Sequence, residues 1–82
     1  MALAEHRDAL AAQLGQLEDL LRQAQAASRG LEERAAVAAG DTESFADDTA
    51  LAQVGAVARR SRQELGALLR AVATARGQIG GR

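Results

Sequence analysis

The chain has 82 residues, a net charge of −1, one His and no Cys, which leaves room for one small domain and excludes a disulfide framework or a self-contained thiolate zinc site. A core of that size rarely supplies more than about 3–5 kcal/mol of net stability without a staple or a partner, so oligomerisation is the route left open. The apolar 48% is mostly Ala and Leu, with one Phe, no Trp, no Tyr and no Pro; such a chain favours long uninterrupted helices and serves a β-sheet badly.

The first residues, Met1-Ala2-Leu3-Ala4-Glu5-His6-Arg7-Asp8, carry charge where a secretory signal needs an apolar run, and no stretch approaches a membrane span. The expected address is the cytoplasm. Leu3, Leu10, Leu14, Leu17, Leu21 and Leu31, continued by Ala24, Ala35 and Ala38, recur at alternating spacings of three and four. That is a heptad seam and predicts a first helix over about 3–39.

A turn is expected at about 40–47. Gly40 suits the left-handed position that ends a helix, and Ser44, Asp47 and Asp48 are alternative N-caps for the next one. Phe45, the sole aromatic residue, has two readings: a lid folded over the last turn of the first helix, or an exposed anchor for a partner. The acids around it, Asp41, Glu43, Asp47 and Asp48, lack the ligand alternation of a calcium loop, and no metal or cofactor is expected.

Leu51, Val54, Ala58, Ser61, Leu65, Leu68, Val72, Ala75 and Ile79 keep the same spacing and predict a second helix over about 48–79. Helices of roughly 35 residues extend about 50 Å, and so short a connection makes them antiparallel. The fold class is therefore all-α, a two-helix coiled-coil-like hairpin. Folding at the turn brings Glu5 towards Arg82, Glu18 and Asp19 towards Arg70, and Arg22 towards Glu64. Gly15, Gly30, Gly55 and Gly66 lie inside the helices, where small residues would permit close approach or a bend near Gly30.

Leu20, Val37, Val57 and Leu69 fall beside the seams and widen the apolar stripe beyond a two-helix contact. A second interface is the simplest explanation: self-association into a four-helix bundle, or docking on another helical protein. Leu20, Val57 and Leu69, with Phe45, are the candidate interface residues. Arg59, Arg60 and Arg62 form the densest basic cluster and could meet an anionic partner, although the net charge and the lack of interleaved aromatic residues argue against nucleic acid. His6 has no convergent ligands, and Ser28 and Ser61 have no neighbouring base, so no catalytic residue emerges and the chain is not expected to be an enzyme.

A short Ala-rich helical hairpin with a mid-chain turn resembles the small WXG-type, ESAT-like proteins of type VII secretion systems and their actinobacterial relatives. Phe45-Ala46-Asp47 stands roughly where that family carries its Trp-x-Gly, and there is no Tyr for its C-terminal secretion signal. The resemblance implies a homo- or heterodimer that completes a four-helix bundle. A second resemblance is to the coiled-coil arm of DksA/TraR-like regulators, in which an acidic tip reaches into RNA polymerase. Asp48-Thr49-Ala50 matches the end of that tip motif, and the family's zinc-binding cysteines are absent.

Overall fold

A computed structural model describes residues 2–80. Helix α1 spans Ala2–Asp41 and helix α2 spans Phe45–Gly80, and the two lie antiparallel as a rod of 63 × 15 × 14 Å. Its radius of gyration, 18.4 Å, far exceeds the roughly 12 Å expected for a compact domain of this length. No strand occurs among the described residues. None of the described helices is long and apolar enough to cross a membrane.

The turn is shorter than the sequence suggests. Helix α1 runs through Gly40 to Asp41, and Gly40 keeps an ordinary helical conformation, with no positive φ. Ser44 is the N-cap of α2: its hydroxyl accepts from the Asp47 amide at 3.3 Å, while its carbonyl accepts from the Asp48 amide at 2.9 Å. The Ser44 amide donates to the Thr42 hydroxyl at 3.2 Å. Side chains thereby satisfy donors that the helix start would leave without a partner, and Asp47 and Asp48 lie in the first turn of α2, where the helix dipole favours negative charge.

Only Ala35, Ala58 and Val72 are buried among the described residues, and Ala58 is the most enclosed at 1% exposure. Half-buried Leu14, Leu21 and Ser28 continue the line of Ala35 on α1, and half-buried Leu51, Leu65 and Ile79 continue the line of Ala58 and Val72 on α2. Each line has a seven-residue spacing, so the helices touch along one narrow ridge each. The neighbours of these lines depart from expectation. Leu17, Leu31, Val54 and Leu68, expected inside the seam, are 38–51% exposed.

The interior glycines also have an unexpected setting. A Cβ added at Gly66 would approach the Gln25 side chain at 3.5 Å, but at Gly15, Gly30 or Gly55 it would meet nothing within 4 Å. Close helix approach therefore explains none of those three.

Candidate interaction surface

In a helix packed along one line, residues three and four positions on from that line fall on its two opposite sides. On α1 the residues four on are Glu18, Gln25 and Glu32; on α2 they are Gly55, Arg62, Leu69 and Arg76. These rows meet along one long side of the rod. Glu32 accepts from Arg59 Nε at 3.0 Å and lies 3.0 Å from Arg62 Nη2. Glu18 joins Arg76 across the helices and Arg22, at 2.9 Å, along its own.

Arginine donates in a fixed fork, so a carboxylate with two guanidiniums has most of its lone pairs engaged. The Arg22 hydrogen bond is the largest influence on the Glu18 carboxyl; with the charge of Arg76 it outweighs partial burial and holds that group below its ordinary value. At Glu32 the largest influence is burial, which raises the carboxyl, but hydrogen bonds and charge from Arg59 and Arg62 together prevail and lower it. This side of the hairpin is the charged face, and a shallow hollow opens on it towards the tip between Ala36, Ala39 and Gly55.

The other side is built from residues three on from the contact lines: Leu10, Leu17, Ala24, Leu31 and Ala38 on α1, and Val54, Ser61, Leu68 and Ala75 on α2. Neither row contains an ionisable side chain. Just outside them, Leu20 and Val57 are 61% and 62% exposed, and a shallow groove joins Leu31 of α1 to Val54 and Val57 of α2. His6, Arg34 and Glu64 stand at the edge. Among the described residues, seven of the nine exposed large apolar ones, Leu3, Leu17, Leu20, Leu31, Val54, Val57 and Leu68, share this side; Val37 is on the outer side of α1 and Phe45 is at the tip.

The expected interface residues are thus divided. Leu20 and Val57 lie on the open apolar side. Leu69, expected with them, is half-buried on the charged side in line with Arg62 and Arg76, because it follows Leu65 by four residues; Leu68 occupies the place expected of it. Phe45 is 85% exposed and does not fold over α1.

The basic cluster is already engaged. Besides the Glu32 bridges to Arg59 and Arg62, Arg60 Nε donates to Glu64 at 3.0 Å. Glu32 of α1 reaches two of the cluster's members. Glu18 meets Arg76 and not Arg70; Arg70, two residues before Val72, is rotated onto the back of α2. Arg22 and Glu64 each pair along their own helix, and Arg82, expected beside Glu5, lies outside the described residues.

Among the described residues, no three His, Cys, Asp or Glu side chains converge so as to hold one metal ion. Ser28 and Ser61 are half-buried in the middle of the hairpin with no hydrogen bond between them. The fold defines a two-helix hairpin with one charged and one apolar side. Comparison with known proteins finds no matching family model, no matching curated protein and no matching solved structure.

Proposed function

We propose that the chain is a non-enzymatic helical interaction module, and that its working surface is the open apolar side carrying Leu17, Leu20, Leu31, Val54, Val57 and Leu68. The carrying observation is the segregation of exposed apolar residues to that side, opposite the ion-paired one. Contiguous apolar surface of this extent is uncommon on a monomer and marks a docking site. The area balance points the same way. The chain exposes 6088 Å², whereas a compact monomer of 8.5 kDa exposes roughly 4,700 Å².

The hairpin is compatible with an ESAT-like architecture, and a secretion-associated homo- or heterodimer is the finer form of this proposal. A second reading has one specific observation in its favour: the 85% exposed Phe45 amid the acidic tip. It makes the tip the contact, as in a DksA/TraR-like regulator of RNA polymerase.

Sedimentation of the chain beside a Leu20→Glu/Val57→Glu variant separates these possibilities. Association of the chain above its monomer mass, with the variant monomeric at unchanged helicity, is the expected result. A variant that associates above its monomer mass as the chain does would remove the apolar side as the working surface and favour the tip.

A further inference from the structure

Resting on that reading, we infer that the occupant of the apolar side is a second copy of this chain, related by a two-fold axis parallel to the rod. Both tips then lie at the same end, and each α1 packs antiparallel on the partner's α2.

The area suffices. A face of about 63 by 15 Å offers on the order of 900 Å² per copy, against roughly 800 Å² per partner in a standard stable interface.

The relief of the face selects the arrangement. Glu32 bridges both Arg59 and Arg62, so its height along the rod falls between them. Leu31, one residue further from the tip, is then level with about Ser61, and the same register along the antiparallel helices sets Leu17 near Ala75. The seven-residue spacing then sets Ala24 level with Leu68, and Ala38 level with Val54. Each height carries one large and one small side chain, and the large one alternates between α1 and α2. A two-fold axis along the rod lays α1 of one copy over α2 of the other at equal height. Leu17 then meets Ala75 of the partner subunit, Leu31 meets Ser61 of the partner subunit, and Leu68 and Val54 enter the hollows at Ala24 and Ala38. Large side chains set into small ones are how helix surfaces interlock without voids.

With the tips at opposite ends, α1 lies on its own counterpart. Full overlap then sets Leu10 against Leu31, and the stagger that restores the match, two heptads, shortens the overlap by about 21 Å of the rod. Charge agrees with the first arrangement. At the edge of the face α1 carries His6 and Arg34 and α2 carries Glu64, so placing α1 on the partner's α2 sets unlike charges along the same edge.

The chain has no cysteine, so a single spin label can be attached at Glu43→Cys in the tip and the distance between two labels measured by pulsed dipolar spectroscopy. Helicity, solution mass and binding of an apolar dye are recorded on the same sample. The expected result is a dimer whose labels lie within half of the 63 Å rod length. A dimer with labels separated by nearly the whole rod would overturn the two-fold arrangement. A helical monomer that binds the dye would overturn the second copy as occupant while leaving the docking face in place. A helical monomer that binds no dye would overturn both.

Discussion

The two long sides of this hairpin have nearly the same backbone and opposite surfaces. On one side Glu18 and Glu32 each join two arginines, and the groove between the helices is spanned by charge. On the other side the groove is flanked by Leu17, Leu31, Val54 and Leu68, and no ion pair crosses it among the described residues. The difference comes from a single step along each helix. Residue 17 against 18, or 68 against 69, decides which side a side chain faces, so a sequence with Leu at 17 and Glu at 18 separates an apolar face from a charged one. The charged side holds the two helices in register, and the apolar side is left open to other molecules.

The largest way to break this arrangement is to attack the line that both sides share. Ala58→Asp places an unpaired charge at the most enclosed position, at a cost of several kcal/mol; loss of the cooperative thermal transition in circular dichroism is expected, and an unchanged melting curve would contradict the contact line. Next comes the opposite kind of change. Gly30 lies mid-helix with open space around it, so Gly30→Ala should stabilise the hairpin by up to about 1 kcal/mol, seen as a raised melting temperature with association unaltered.

Changes on the charged side should be smaller. Glu32→Gln removes the shared partner of Arg59 and Arg62 and should lower the melting temperature by only a few degrees without altering solution mass, because ion pairs at a wet surface are individually weak. The pH dependence has a fixed sign. The Glu18 and Glu32 carboxyls titrate lower in the folded chain than their ordinary value, so their contribution is complete above the ordinary carboxylate range and is lost as pH falls through the folded values. An acid titration of the melting temperature should fall in that range, and less steeply in a Glu18→Gln/Glu32→Gln variant. The smallest expected effect on stability is that of Phe45→Ala, since the ring makes almost no buried contact; a clear loss in thermal denaturation would mean that the ring packs on the hairpin.

The hairpin itself was legible in the sequence, because apolar residues at heptad spacing, the absence of Pro and a polar break at 40–47 all favour two helices. What periodicity does not resolve is the phase of the contact around each helix. The lines through Leu14 and Leu21 and through Ala58 and Val72 follow from that spacing, but it also sets Leu17 and Leu68 inside the seam, although the contact is narrow enough to leave both half in water. Leu69 falls off the spacing and is for that reason expected outside. The signal that distinguishes the sides is charge one residue further on, at Glu18, Glu32, Arg62 and Arg76, which marks the side where the helices bridge. The expected register also misassigned Arg70: the bridge to Arg76 sets Glu18 six residues further along α2, about 9 Å from Arg70, and Arg70 faces the back of that helix.

The measurement that tests the two-sided hairpin most directly is thiol accessibility at single cysteines as protein concentration is raised, comparing Val57→Cys on the apolar side with Ala36→Cys beside the charged bridges. Reaction at residue 57 should slow with concentration while reaction at residue 36 stays constant. Protection at residue 36 instead would contradict the assignment of the apolar side as the surface that docks, and constant rates at both positions would contradict a second copy as the molecule that docks there.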